Sequence, residues 1–281
     1  MTKNVDLIGS YWTLAGKAYP HDREESPFDF ADRVREASRA GFKGIGLWHS
    51  DLEKILKTYT HADMKKILDD HGMFVELEFL TDFMHRDERR VWSDKMRKLL
   101  LDAAEALDAT HIKVGDFTGA PCPMPQVIEE FAQLCKEAEE RGTKVVYEFF
   151  PFNVIDSLEK ARELCEGAGA KNGGVIFDIW HVVSLGISYE KLATFPPQYL
   201  LAVELNDGPL KMPSDWRDET INHRRLCGEG EFDIAGFLKV VDKLGFKGPF
   251  GVEILSATLR ELPLRECCET VYKTTMAAFD Y

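Results

Sequence analysis

Along the chain, short apolar runs rich in β-branched and aromatic residues alternate with longer stretches whose apolar positions recur at helical spacing. The runs predict eight strands: VDLIGSYW (5–12), KGIGLW (43–48), MFVELEFL (73–80), THIKVG (110–115), KVVYEFF (144–150), GGVIFDI (173–179), LLAVELN (200–206) and FGVEIL (250–255). Between them lie amphipathic segments such as FDFADRVREASRAG, where Phe30, Val34, Ala37 and Ala40 fall on one helical face and Gly41 supplies the stop. Ala40-Gly41, His71-Gly72, Arg141-Gly142 and Leu244-Gly245 each stand just before a strand, as a helix-to-strand turn requires. Aperiodic, turn-rich stretches instead follow the strands, at 13–26, 81–87, 116–125 and 206–231.

Regular alternation of strand and helix is the pattern of βαβ units around a parallel sheet. Eight such units predict a closed (β/α)8 TIM barrel, and 281 residues suit one barrel domain spanning 1–281. An open doubly wound sheet is the rival, but it calls for a glycine-rich phosphate loop after its first strand, and SYWTLAGKAY has none. The long loops after the strands then mark the face where a barrel carries its site.

Composition narrows the function classes. The chain is 44% hydrophobic and 30% charged, with 35 basic against 48 acidic residues and a formal charge of −13 spread over its length. Such a field opposes DNA, RNA and anionic membranes as partners. The start MTKNVDLIGSYW lacks the features of a secretory leader, and a cytoplasmic location is expected. Six cysteines show no metal-binding or disulfide spacing, which predicts reduced thiols; nothing around Cys227 marks it as an activated nucleophile. The GEGE run at 228–231 lacks the spacing of a dinucleotide fingerprint and reads as a turn into the last helix.

The chemistry-bearing signal is a set of acids. Glu148 in VVYEFF, Asp178 in VIFDIW, Glu204 in AVELND and Glu253 in GVEIL stand one to a strand on the last four strands, each among apolar neighbours. Uncompensated carboxylates there would cost several kcal/mol or protonate, so a cation is expected. A closed barrel brings these strand ends to one rim, and oxygen ligation suits Mn²⁺ first, with Mg²⁺, Co²⁺ or Zn²⁺ as alternatives. Glu76 and Glu78 share a face of strand three, and Lys113 alternates with Ile112 and Val114; each is open to a structural ion pair or a role at the site. Trp12, Trp48 and His49, at the ends of strands one and two, are candidates to wall the pocket or simply to fill core.

From VVYEFF to GVEILS, and especially through RRLCGEGEFDIAGFLKVVDKLGFKGPFGVEIL, the chain resembles the xylose isomerase-like TIM barrels. That superfamily holds sugar phosphate isomerases and epimerases, inosose-processing enzymes, ketose 3-epimerases and endonuclease IV. The resemblance implies metal ligands at Glu148, Asp178, Glu204 and Glu253; many relatives carry His where Glu204 stands. It also implies an acid/base pair at Glu148 and Glu253, a substrate-contacting His181 in the D-x-x-H pattern, and a substrate-contacting Arg225, with His223 and Arg224 as rivals for that place. FPFNVI stands where the ketose epimerases have a further glutamate.

The function expected is a divalent-metal-dependent isomerase or epimerase that removes an α-proton from a ketose, inosose or related keto-polyol. The alternative is a lyase using the same site: a keto-inositol or dehydroshikimate dehydratase, or a 3-keto-glycoside eliminase. A nuclease is opposed by the acidic charge and the scarcity of histidines, and a metal-free binding barrel is the remaining reading. Beyond a small sugar or polyol, the partner expected from the resemblance is a second copy of the chain, as a dimer or tetramer.

Overall fold

The computed structural model describes residues 5–211 and 215–280. Eight parallel strands close into a barrel in sequence order: β1 (Leu7–Gly9), β2 (Gly44–Trp48), β3 (Phe74–Leu80), β4 (His111–Val114), β5 (Lys144–Glu148), β6 (Gly173–Asp178), β7 (Leu200–Leu205) and β8 (Phe250–Val252). β1 pairs with β8 through Leu7 with Phe250 and Gly9 with Val252, which closes the ring. The eight-stranded TIM barrel predicted from alternation is therefore the fold observed.

Helices pack outside the ring, and their boundaries follow local chemistry. Helix Phe30–Ala40 begins where the Asp29 side chain accepts from Ala31 N–H. It ends at Gly41, whose φ of 118° is left-handed and whose missing Cβ would lie 2.4 Å from Tyr272 Cζ. Gly72, Gly142 and Gly245 end helices before strands in the same way. Helix His61–Asp70 starts with a reciprocal Thr60–Asp63 capping box.

The period of two along each strand sorts side chains between two cores. Val145, Tyr147, Val175, Phe177, Val203, Leu205, Phe250 and Val252 point outward into the large cluster shared with the helices. Val146, Ile176 and Ala202 point inward and form a separate small cluster within the barrel. Two residues further along the same three strands come Glu148, Asp178 and Glu204, on the same inward face at the C-terminal rim. β8 continues the series, with Gly251 opposite Glu204 and Glu253 just past the last ladder pair, its N–H donating to Leu205 O at 3.2 Å.

Two strands fall well short of their predicted runs, β1 (Leu7–Gly9) and β8 (Phe250–Val252). β1 stops at Gly9 because Ser10 turns its hydroxyl inward and Tyr11–Leu14 forms a helical turn, which carries Trp12 to the rim. The 206–231 loop is not wholly irregular either, since Trp216–Asn222 is helical within it. Among the described residues no helix is long and apolar enough to cross a membrane.

Candidate active site

Glu148, Asp178, Glu204 and Glu253 each place a carboxylate oxygen within 4.8 Å of all the others. All are at least 95% buried, so their charges are not relieved by bulk water. Glycine makes the space: a Cβ on Gly251 would lie 2.6 Å from Glu204 Cγ, and one on Gly46 only 2.2 Å from Glu78 Oε1.

Three internal basic side chains answer these acids. Lys113, fully buried on β4, places Nζ 2.7 Å from Glu204 Oε1, 3.1 Å from Glu253 Oε1 and 3.1 Å from Glu78 Oε2. Arg224 Nη1 donates to Asp178 Oδ2 at 2.9 Å and to Glu253 Oε2 at 3.0 Å, and its guanidinium lies over the Trp180 ring. His181 lies one helical turn beyond Asp178, whose side chain caps that helix, and sets Nε2 3.0 Å from Glu148 Oε1. Deeper in the barrel, Glu76 pairs with His111 at 3.3 Å.

Proton affinities differ across this cluster. Burial drives the carboxyls of Glu204 and Glu78 well above the usual range, and raises Glu253, in each case against the pull of Lys113. Burial acts the same way on Glu148, but the His181 hydrogen bond and the Lys113 charge outweigh it and lower Glu148 overall. Burial pulls Lys113 down, but the charges of Glu204, Glu253, Glu78 and Glu148 outweigh it and hold the amine well above an ordinary lysine.

The donor set fits a divalent ion. The carboxylates of this cluster outnumber the two always-basic side chains that reach them, Lys113 and Arg224, and a divalent cation would offset the excess of acid. Glu204 Oε2 is moreover buried without a hydrogen-bond partner, the position expected of an oxygen reserved for a ligand. Hard oxygen donors favour Mg²⁺ or Mn²⁺, and the nearby His181 Nε2 is engaged with Glu148 Oε1.

A cavity of about 920 Å³ opens over these groups, and Glu148, His181, Arg224 and Glu253 line it. Its far wall is aromatic: Trp12 meets Trp48 at 4.8 Å between ring centroids, Phe79 meets Phe117 at 4.7 Å, and Phe150 meets His181 at 5.0 Å. Trp12, Trp48 and His49 line this cavity. Of the three basic neighbours in the closing loop, Arg224 faces the carboxylates. Arg225 is half-buried with its backbone paired to Asp207, and exposed His223 pairs with Asp218.

Several supporting residues escaped the sequence reading. Ser10 donates to Glu204 at 2.8 Å, and Asn206 donates to Asp178 at 2.7 Å. Glu24 accepts from Trp48 Nε1 at 2.9 Å from a turn-rich loop with no periodicity to flag it. Asp207 accepts from the N–H groups of Gly208, Gly228 and Phe232, so it shapes the GEGE turn that the sequence singled out. A signal existed for Asn206 and Asp207, because polar residues directly after a barrel strand sit at the rim. Cys227 is buried and its thiol is pushed up to about 12 by that burial, which leaves it no nucleophilic role at neutral pH.

Fold and site together define a class, a TIM barrel with a convergent acidic centre at its C-terminal mouth. The chain belongs to the xylose isomerase-like TIM barrel family, whose model matches residues 34–273. Among curated proteins it is 26% identical over 247 residues to a 3-dehydroshikimate dehydratase of Pseudomonas aeruginosa, covering 83% of this chain and 37% of that protein. The chain thus spans little more than a third of the curated dehydratases it matches. It is also 22% identical over 240 residues to an inosose isomerase of Bacillus velezensis, covering 80% of this chain and 83% of that one. Among solved structures, the IolI protein with a bound zinc atom superposes with a TM-score of 0.85 at 19% identity, covering 98% of each chain. A D-psicose 3-epimerase crystallised with D-fructose gives a TM-score of 0.73 at 13% identity over 96% of each chain. The curated proteins it resembles thus include dehydratases and isomerases, and an epimerase shares its fold.

Proposed function

We propose that this barrel is a divalent-metal-dependent isomerase or epimerase that removes a proton from the carbon next to the carbonyl of a keto-polyol. The observation that carries the reading is the placing of Glu148 and Glu253: both line the cavity and both belong to the four-carboxylate cluster, yet they stand on strands three apart around the rim. Two carboxylates reaching one ligand from different sides are what removal of a proton from one face and return to the other requires. Glu148, Asp178, Glu204 and Glu253 would hold the divalent ion, which would supply Lewis-acid polarisation of the substrate carbonyl.

In this account Glu253 takes the α-proton, and the C–H electron pair moves into the carbonyl to give an enolate. Lys113 and Arg224 each hold one Glu253 oxygen, which fixes the carboxylate's direction. Re-formation of the carbonyl returns a proton to carbon on the other side of the substrate, where Glu148 and His181 stand as a hydrogen-bonded pair that can relay it. The aromatic wall covers the apolar C–H face of a ring substrate and keeps water from the enolate. A zinc-bound fold relative and the inosose isomerases support the metal and the cyclic keto-polyol, and Mn²⁺ remains the ion we would load first.

A second reading has its own support. The same enolate can expel a β-hydroxyl as water when His181 protonates the leaving oxygen, and the matched dehydratases favour that outcome. Proton NMR in deuterated buffer separates the two, with keto-inositols, ketoses and dehydroshikimate as substrates. Deuterium incorporation without loss of water is expected for isomerisation, and a new alkene signal for dehydration. Chelation should stop both while the far-UV circular dichroism stays native, because a barrel this large keeps its core without the ion. Exchange or turnover at the native rate after complete metal removal would exclude the reading.

A further inference from the structure

Outside the carboxylate cluster, on the part of the rim built by β3 and β4, three more metal-binding side chains converge. Asp82, His85 and Asp116 place one ligand atom each within 4.8 Å of the other two. Asp82 and His85 lie in the loop after β3, where a left-handed Asp82 (φ 59°) turns the chain and His85 N–H donates to Asp82 O. Asp116 lies in the loop after β4, and its Oδ1 is already engaged by the Thr118 amide and hydroxyl at 2.8 and 2.7 Å.

Proximity of acids alone would mean little; the state of the remaining atoms says more. Asp116 is fully buried and its Oδ2 has no hydrogen-bond partner, while His85 is 3% exposed and its Nε2 has none. Asp82 Oδ1 is buried and unpartnered as well, 3.9 Å from His85 Nε2, too far for a hydrogen bond. Three unsatisfied polar atoms on side chains that converge at a largely buried spot cost several kcal/mol unless something binds them.

We propose that Asp82, His85 and Asp116 form a second divalent-cation site, separate from the Glu148–Asp178–Glu204–Glu253 centre. Two carboxylates and one imidazole are a donor set for an ion of borderline softness such as Zn²⁺ or Mn²⁺, with water completing the coordination. The site ties the β3 loop to the β4 loop, and both loops wall the cavity, through Thr81 and Asp82 on one side and Phe117 and Thr118 on the other. Its function is to fix the aromatic wall, including Phe117, against the substrate. Activity should therefore respond through KM more than through kcat.

The test is metal stoichiometry by elemental analysis after loading the full chain with Zn²⁺ and gel filtration, repeated with Mn²⁺. About two ions per chain are expected for the native protein and about one for His85→Ala/Asp116→Asn. Asp178→Asn/Glu204→Gln, which disables the main centre, should retain about one, held with a His-dependent Co²⁺ absorption band that His85→Gln removes. Because that arm does not depend on the main centre, failure of the second site and failure of the proposed function are read separately. Circular dichroism confirms folding, and the single variant His85→Gln replaces the double one if the latter does not fold. Unchanged stoichiometry on removing His85 and Asp116, or no ion retained in Asp178→Asn/Glu204→Gln, would overturn the proposal.

Discussion

Glu253→Gln should leave the barrel folded, lower metal affinity modestly, and slow α-proton exchange by about 100- to 10,000-fold, the range that general acid/base catalysis contributes. Glutamine preserves the shape of the side chain and one oxygen, and it can still receive the Lys113 hydrogen bond at the Oε1 position. What it loses is the capacity to accept the substrate proton. His181→Ala makes the contrast. Its ring touches Glu148 and the Phe150 wall, so its loss should act on substrate binding and proton return and leave metal content intact. Deuterium exchange rate and bound metal, measured on both variants, distinguish base from ligand. Exchange by Glu253→Gln at the native rate would make Glu253 a ligand only and move the base to Glu148.

Lys113→Met should destabilise the protein by about 3 to 5 kcal/mol, the usual cost of removing one partner from a buried ion pair. Lys113 is fully buried between Glu78, Glu204 and Glu253, and methionine fills its space without its charge. The three carboxylates then face one another and must protonate or repel. Lys113→Met/Glu204→Gln deletes one of those charges, so the double variant should unfold at a higher denaturant concentration than the single one. A double-mutant cycle on urea midpoints measures the coupling. Additive losses would mean that Lys113 does not balance Glu204.

The inward acids were legible in the sequence for a definite reason. Glu148, Asp178, Glu204 and Glu253 each interrupt a strand whose neighbours are apolar, and period two with ring closure turns four separate anomalies into one centre. The aromatic wall was legible in part, because Trp12, Trp48 and His49 flank the ends of predicted strands. Harder to read was which of Glu76, Glu78 and Lys113 belonged to the site. Strand pattern puts all three inside the barrel, but only the register across β3 and β4 shows that Lys113 bridges Glu78 to the main cluster while Glu76 meets His111.

Loop residues were opaque for the opposite reason. Arg224 and Arg225 are adjacent, and no periodicity in an irregular loop says which one turns inward; the Asp207–Arg225 backbone bridge decides it by setting the direction of alternation. Asp82, His85 and Asp116 lie 34 residues apart at their extremes and join only because β3 and β4 are neighbours in the ring. Ser10 was hidden inside a run that reads as strand, yet the chain turns there and donates its hydroxyl to Glu204.

The central claim, that the acids ending β5, β6, β7 and β8 are a metal centre, is tested most directly by anomalous diffraction from crystals of Mn²⁺-loaded protein. A strong peak is expected among the carboxylate oxygens of Glu148, Asp178, Glu204 and Glu253, lost in Asp178→Asn/Glu204→Gln. A metal-saturated crystal with no peak there, and with Lys113 and Arg224 alone filling the space between the four acids, would contradict it.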